Sequence, residues 1–202
     1  MKMNRPFIHE NHPLILASAS PRRKRLLAQM GLPYRVVVSR VREESRAEIP
    51  EDFCRNLAVL KAKEVGSRET GSWILGADTI VVIGGRVLGK PENQEDARKM
   101  LSVLSGKEHR VITGFCVLDH AGIMVHWESV TTVARFKCLN EEEIAGYIRT
   151  QEPFGKAGAY AIQGVGSFMV ESISGSYTNV VGLPMCALIK GLVRCGALQS
   201  FP

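Results

Sequence analysis

Asp78 is the residue whose placement most clearly points to chemistry. It lies inside the run 73–83 (WILGADTIVVI), whose apolar and β-branched residues are typical of a buried strand. A carboxylate in such a strand loses hydration unless a cation or hydrogen-bond donors replace the water. Because perturbed acids cluster at functional sites, we interpret Asp78 as a catalytic or metal-facing acid. The alternative is a structural acid that caps a loop or pairs with an arginine.

Two lysines are candidates to face this acid. Gly84 and Gly85 predict a tight hairpin whose returning strand ends near Lys90, and antiparallel pairing would bring Lys90 towards Asp78. Lys61 falls within the apolar stripe of a helix predicted over 51–65. It either snorkels to solvent or directs its ammonium into a cleft that the helix lines. The other members of that stripe are Phe53, Cys54, Leu57, Ala58, Leu60 and Val65.

An anion-binding turn is predicted where a short strand at 13–17 leads into a helix closed by Gly31. Ser20 followed by Pro21 is a favourable helix start, and the unpaired N–H groups of a first helical turn attract anions. Arg22 and Arg23 would add forked donors for phosphate oxygens, and Ser18 a hydroxyl. The spacing does not match the nucleotide loop G-x-x-x-x-G-K-[ST]. The alternative is an ordinary capped helix with solvated basic residues.

A charged loop contributes one more candidate, Glu43, within Arg42-Glu43-Glu44. With Asp78 it would give two acids beside two lysines and an arginine-lined turn. This combination suits phosphoryl transfer to water, with acids holding a divalent metal and cations stabilising charge on the phosphate oxygens. The alternative is that both glutamates are simply solvated.

The remaining pattern predicts one mixed α/β body over residues 13–202, preceded by a polar N-terminal extension, residues 1–12. No internal repeat or linker interrupts it. The periodicity of apolar residues and the turn residues assign strands at 34–39, 109–118 and 123–136, helices at 93–105, 141–150 and from 184, a glycine-rich loop at 153–166, and a last hairpin of strands 168–173 and 176–181.

The net charge of +6 suits an anionic partner, either nucleic acid or a small polyphosphate. Clustering of the basic residues at 22–25 favours a pocket for a small anion. Five scattered cysteines without a C-x-x-C pair indicate reduced thiols in a cytosolic protein and argue against a zinc cluster. Neither a leader pattern nor an apolar run of membrane-spanning length is present, so we expect a cytoplasmic protein without a membrane partner.

Several ordered blocks resemble the Maf family of nucleoside triphosphate pyrophosphatases, from about Leu14 to the terminal helix. They are residues 16–23 (LASASPRR), 75–81 (LGADTIV), 89–91 (GKP), 155–164 (GKAGAYAIQG), 175–177 (GSY) and 180–184 (VVGLP). The resemblance implies a mixed twisted sheet with flanking helices, two lobes around a deep central cleft, and often a homodimer. It also implies cleavage between the α- and β-phosphates with Mg²⁺ or Mn²⁺.

The resemblance further implies roles for individual residues. Ser18, Arg22 and Arg23 would hold the triphosphate, and Asp78 would accept a proton from water. The metal and phosphate shell would be completed by Glu43, Lys61 and Lys90. Which of Glu43 and Glu44 faces the metal is left open.

Base preference divides the family into branches. Arg23, Thr79 and Gln163 resemble the branch that hydrolyses dTTP and UTP, and a glutamine amide offers both a donor and an acceptor to a pyrimidine edge. The alternatives are the same chemistry on 7-methyl-GTP or another modified purine triphosphate, and a nucleic-acid-binding or cell-division regulatory role. Few aromatic residues for base stacking count against nucleic acid.

Overall fold

The computed structural model describes residues 7–41 and 48–201. Within those ranges the chain forms β1 (Leu14–Leu16), α1 (Pro21–Gln29), β2 (Tyr34–Val36), α2 (Pro50–Gly66), β3 (Ile74–Ile83), β4 (Arg86–Leu88), α3 (Gln94–Leu104), β5 (Glu108–Leu118), β6 (Met124–Phe136), α4 (Glu141–Arg149), β7 (Val170–Ser174), α5 (Tyr177–Val181) and α6 (Met185–Arg194), with 3-10 turns at Ala157–Ala159 and Val165–Met169. The strands are hydrogen-bonded in the order β2-β1-β3-β5-β6-β7, with β4 paired to β3. The predicted mixed sheet with flanking helices is confirmed.

The chain divides into two compact units. Unit 1 contains the residues up to Asp78 together with Thr113–Val130 and the chain from Gly182 onward, and unit 2 contains Thr79–Ile112 and Thr131–Val181. Whether residues 13–202 fold as a single domain stays a prediction. No helix among the described residues has the length and apolar character needed to span a membrane.

Part of the predicted N-terminal extension is attached to unit 1. Ile8 is buried, and its N–H donates to the carbonyl of Ala197 at 2.9 Å. His9 and His12 pair through their backbones in an isolated bridge.

Unit 1 is organised by parallel pairing of β1 with β2 and β3, with Leu16 opposite Leu75. The helix α2 lies directly against β3, because a Cβ placed on Gly76 would come within 2.1 Å of the Ala58 carbonyl oxygen. Only glycine permits that approach. The buried positions of α2 include Cys54, Leu57 and Lys61, as the stripe predicted, but Leu60 is 44% exposed and its inward assignment was wrong.

Unit 2 contains the predicted β3–β4 hairpin, with Val82 opposite Val87. Gly84 and Gly85 both have positive φ, which the two-residue turn requires and glycine adopts without strain. A core cluster that includes Val81, Leu101 and Phe136 packs the hairpin against the helices of this unit.

The predicted last hairpin was wrong. β7 pairs antiparallel with β6, and Tyr177–Val181 is helical. The Ser176 hydroxyl accepts from the Asn179 N–H at 3.2 Å, which caps the short helix. Asn179 donates to the Val111 carbonyl and to Thr132 Oγ1, both at 3.0 Å, so side-chain hydrogen bonds prevail over strand propensity here.

Gly76→Ala tests the close approach of α2 to β3. We expect it to lower the free energy of unfolding by about 1–3 kcal/mol, because the added methyl group collides with backbone atoms that cannot rotate away. Gly146→Ala in α4 is the matched control: its Cβ would meet only the end of the Arg149 side chain at 3.6 Å. Since alanine favours a helix interior by about 0.5–1 kcal/mol, this control should be stabilised in urea unfolding.

A pH dependence is expected from His109. Its Nε2 lies 2.8 Å from the Tyr160 hydroxyl, and burial lowers the pKa of His109 from 6.5 to about 4. Between pH 4 and pH 6.5 the unfolded chain binds a proton at His109 more strongly than the folded chain does. The free energy of unfolding is therefore highest above pH 6.5 and falls by up to about 3 kcal/mol as the pH drops towards 4. Urea midpoints at pH 7, 5.5 and 4.5 should therefore fall less steeply in His109→Gln than in the natural chain. Equal slopes would contradict this assignment.

Candidate active site

The start of α1 has the capped geometry that the sequence predicts. Ser20 Oγ accepts from the Arg23 N–H at 3.5 Å, and Pro21 is the first helical residue. Ser18 Oγ in turn accepts from the Ser20 N–H at 3.2 Å. The cap takes up the Arg23 N–H, and Pro21 has none, so an anion at this helix N-terminus would be favoured mainly by the helix dipole and the neighbouring basic side chains.

Arg23 is built into the protein rather than solvated. The residue is 8% exposed, its Nε donates to the Gly182 carbonyl at 2.8 Å, and its Nη1 donates to Ser18 Oγ at 3.0 Å. For this residue the alternative of a solvated basic side chain was wrong. Arg22 is half-buried. Ser18 Oγ is the acceptor for both the Ser20 N–H and Arg23 Nη1, so its hydroxyl hydrogen can still be donated.

Asp78 and Lys61 form a buried ion pair. Lys61 Nζ donates to Asp78 Oδ1 at 2.6 Å, and each side chain is 9% exposed. The snorkelling alternative for Lys61 was therefore wrong. The pair arises because α2 lies on β3 at Gly76, next to Ala58. Lys61 is about one helical turn after Ala58, and Asp78 is two residues after Gly76 on the strand, so the two side chains meet. The pairing alone does not distinguish a structural acid from a catalytic one.

The register of unit 1 relates this pair to the start of α1. Leu16 is opposite Leu75, and the Ala17 N–H donates to the Leu75 carbonyl at 2.8 Å. β1 ends there and the chain turns into α1, whereas the parallel strand β3 continues to Asp78. Adjacent strands are about 4.8 Å apart, so Ser18, just past the carboxyl end of β1, lies beside the part of β3 that leads to Asp78. Ligands of open α/β sheets bind outside such carboxyl ends.

Three predicted site residues belong to unit 2: Thr79, with which the unit begins, Lys90 and Gln163. Thr79 is half-buried and follows Asp78 on β3. Lys90 is exposed and lies two residues beyond the end of β4, and the neighbouring Gly89 carbonyl accepts from the Gly158 N–H at 2.9 Å. This bond joins the hairpin to the glycine-rich segment that carries Gln163, which is half-buried. The roles of these three residues stay predictions.

Of the two predicted metal ligands, Asp78 lies within the described residues and Glu43 does not. Glu43 and Glu44 lie outside the described residues. Within 7–41 and 48–201, no group of three or more His, Cys, Asp and Glu side chains could hold a metal ion. Mg²⁺ in nucleotide enzymes is commonly held by one or two carboxylates together with substrate phosphates. Asp78 can supply one carboxylate oxygen besides the one that Lys61 contacts, so the donor set fits a cation that binds with a nucleotide.

Sequence reasoning missed two residues that organise these elements. The Gly182 carbonyl accepts a hydrogen bond from Arg23 Nε, 159 positions away in the sequence, and no local sequence pattern predicts a partner that distant. Glu152 binds two backbone N–H groups of the glycine-rich segment, Val165 and Gly166. The only signal for Glu152 is an acid between a helix end and a proline, which is common in ordinary loops.

Comparisons with known proteins give a consistent result. The family model described as "Maf-like protein" matches residues 13–195. A dTTP/UTP pyrophosphatase of Syntrophotalea carbinolica is 51% identical, covering 98% of this chain and 91% of that protein. Proteins of the same name from Geobacter sulfurreducens and Halalkalibacterium halodurans are 49% and 47% identical; each match covers 94% of this chain and 100% or 99% of the relative.

A solved structure with some likeness is the nucleoside-triphosphatase / dITP/XTP pyrophosphatase of Mycobacterium abscessus. It is 16% identical, with a TM-score of 0.37, over 61% of this chain and 72% of that one. A likeness this weak carries no argument about fold or activity.

The buried pair makes a prediction about stability. Lys61→Met leaves Asp78 buried without its cation, and breaking a buried pair from one side costs about 3–5 kcal/mol. The double variant Lys61→Met/Asp78→Leu should recover most of that loss, because apolar replacement of both partners is close to neutral. Urea unfolding measures both.

Lys99→Met is the surface control, since Lys99 and Glu95 are 70% and 64% exposed and 3.7 Å apart. It should change the free energy of unfolding by less than about 1 kcal/mol. If Lys61→Met/Asp78→Leu lost as much stability as Lys61→Met and Asp78→Leu added together, Lys61 and Asp78 would not be coupled.

Proposed function

Because this chain belongs to the Maf family, we propose that it is a nucleoside triphosphate pyrophosphatase that hydrolyses dTTP and UTP, with modified pyrimidine nucleotides as the wider substrate class. The observation that carries the proposal is the buried Lys61–Asp78 pair, on the part of β3 that lies beside the carboxyl end of β1, where the chain turns into α1. The relatives named dTTP/UTP pyrophosphatase match nearly their full length, which supports the same reaction here.

The triphosphate would bind at the start of α1. The Ser18 hydroxyl and the Arg22 guanidinium offer donors to its oxygens, and the positive end of the helix dipole favours its charge. Arg23 adds a positive charge whose orientation is already fixed by Ser18 and the Gly182 carbonyl. A side chain ordered before binding loses less entropy when the ligand arrives, so this anchoring favours affinity.

Asp78 would act as the general base. Lys61 holds Oδ1, which leaves Oδ2 to accept a proton from the attacking water. The water oxygen forms a bond to the α-phosphorus while the bond from that phosphorus to the bridging oxygen breaks. The bonding electrons leave on pyrophosphate, and the nucleoside monophosphate keeps the water oxygen.

Positive charge would stabilise this transfer. Lys61 and Lys90 are the lysines we assign to the phosphate oxygens, in agreement with the need for cations around a transferring phosphoryl group. A divalent cation, Mg²⁺ or Mn²⁺, would be held by Asp78 and Glu43; an ionised carboxylate has about four lone-pair sites, so Asp78 could serve the cation as well as Lys61 and the water. When bound, the cation neutralises charge on the phosphate oxygens.

Base selection would rest on Gln163, with Thr79 and Arg23. The Gln163 amide can both donate and accept, which matches the alternating groups on a uracil or thymine edge. A site that binds such an edge rejects a base that leaves its polar groups unpaired. Hydrolysis of 7-methyl-GTP or another modified purine triphosphate is the competing outcome.

We also place the protein in the cytoplasm and expect a homodimer. The five cysteines are all free thiols, which fits a reducing compartment where nucleotides are abundant.

Activity is tested with a panel of natural and modified triphosphates and a pyrophosphate-specific readout in Mg²⁺ or Mn²⁺. We expect pyrophosphate, and not orthophosphate, from dTTP and UTP. Asp78→Asn should lose about 10²–10⁴-fold in kcat, the range for a general base. Release of orthophosphate, or preference for 7-methyl-GTP, would replace the proposed reaction.

Asp119→Asn is the matched control for that variant. Asp119 is another buried aspartate of unit 1, and its Oδ1 accepts from the Ala121 and Ile123 N–H groups, which an asparagine oxygen can also do. This control should keep wild-type turnover. Full turnover in Asp78→Asn would defeat the assignment of the base.

A further inference from the structure

The segment between α4 and β7 is closed by one side chain. Glu152 lies just after α4, and its two carboxylate oxygens accept from two successive backbone N–H groups. Oε1 accepts from Val165 at 3.2 Å and Oε2 from Gly166 at 2.8 Å. These N–H groups begin the 3-10 turn Val165–Met169, so the carboxylate caps that turn from 13 and 14 residues upstream.

Gly164 fits closely against this carboxylate. Its φ is +94°, and a Cβ there would lie 2.0 Å from Glu152 Oε1. Only glycine allows both the backbone conformation and the contact. Lys156 Nζ donates to the Glu152 backbone carbonyl, so the main chain of Glu152 is hydrogen-bonded as well as its side chain.

A second anchor holds the same segment two residues before Gln163. The Ala161 N–H donates to the hydroxyl of the buried Tyr147 at 3.1 Å. In sequence, Gln163 therefore lies between the Ala161 N–H, which is bound by Tyr147, and the N–H groups of Val165 and Gly166, which are bound by Glu152. The two anchors restrain the backbone on both sides of Gln163.

We propose that Glu152 is a positioning residue for base selection: its carboxylate fixes the backbone at Gly164–Gly166 and thereby sets where the Gln163 amide meets the base. This inference rests on the proposed function, in which Gln163 binds the pyrimidine edge. Glu152 would act on the base through Gln163 and not by direct contact. A carboxylate is needed because two N–H groups require two acceptor oxygens, whereas a glutamine offers one oxygen and would turn its NH₂ donors towards the other N–H.

Glu152→Gln is the test. Loss of a hydrogen bond to a charged acceptor should lower kcat/KM for dTTP by about tenfold or more. The loss should fall in KM with kcat nearly unchanged, because base contacts bind substrate and transition state alike. Activity on GTP, a purine triphosphate that makes no use of the pyrimidine contact, should stay within about twofold of wild type. The dTTP-to-GTP selectivity ratio should therefore collapse.

Glu141→Gln is the matched control, since Glu141 is 75% exposed and pairs with Arg98 on the surface of the same unit. It should leave both substrates unaffected. An equal fall of kcat for dTTP and GTP in Glu152→Gln would mean a merely structural role and overturn the proposal. An unchanged dTTP-to-GTP selectivity ratio in a folded Glu152→Gln variant would also overturn the positioning role. The proposed function would still stand in that case, as long as the wild-type protein hydrolyses dTTP. A wild-type protein inactive on dTTP and UTP would instead reject the proposed function.

Tyr147→Phe keeps the test decisive if Glu152→Gln does not fold. It removes only a hydroxyl from a buried ring and releases the Ala161 N–H on the other side of Gln163. It should reproduce the rise in KM for dTTP with little change for GTP. Amide hydrogen exchange in the natural chain should also show Val165 and Gly166 protected, and rapid exchange at both would contradict the cap.

Discussion

The ion pair between Lys61 and Asp78 is the interaction on which the account of this protein depends. A buried carboxylate and a buried ammonium are each costly alone, and together they are stable only if the geometry holds them in contact. That geometry comes from the backbone of α2 lying on β3 at Gly76, a position where any side chain would collide with a carbonyl oxygen. A glycine without chemistry of its own thus fixes the relation between the two charged groups.

Arg23, at the start of α1, is also held in place by contacts within the protein. Arg23 is held by a hydroxyl from its own turn and by the Gly182 carbonyl from the far end of the sequence, so its charge is oriented before any ligand binds. Unit 1 therefore contains a buried Lys61–Asp78 pair and an arginine whose orientation is fixed. Within unit 2, the hairpin that ends near Lys90 is hydrogen-bonded through Gly89 and Gly158 to the glycine-rich segment that carries Gln163.

Much of this could be predicted from the sequence, because the decisive signals were local. The acid inside an apolar strand, the Ser20-Pro21 helix start and the Gly84-Gly85 turn each follow from short patterns, and each was found where expected. Lys61 was left between two alternatives, because helical periodicity gives its face but not its partner. Leu60 was misplaced because the contact face of α2 is narrower than an apolar stripe suggests.

The failures share a physical cause. Residues 176–181 read as a strand from their composition, but a hydroxyl cap and the hydrogen bonds of Asn179 to Val111 and Thr132 made them helical. Arg23's bond to Gly182 and Glu152's cap on residues 165 and 166 also join distant segments. Such contacts are set by tertiary structure, and neither propensity nor spacing encodes them.

The most direct measurement is a crystal structure with α,β-imido-dTTP and Mn²⁺. The account predicts the triphosphate against the first turn of α1, with a water between the Asp78 carboxylate and the α-phosphorus, about 3 Å from the carboxylate oxygen. A triphosphate bound away from α1, or an Asp78 carboxylate still enclosed by Lys61 with no water or metal between it and the nucleotide, would contradict it.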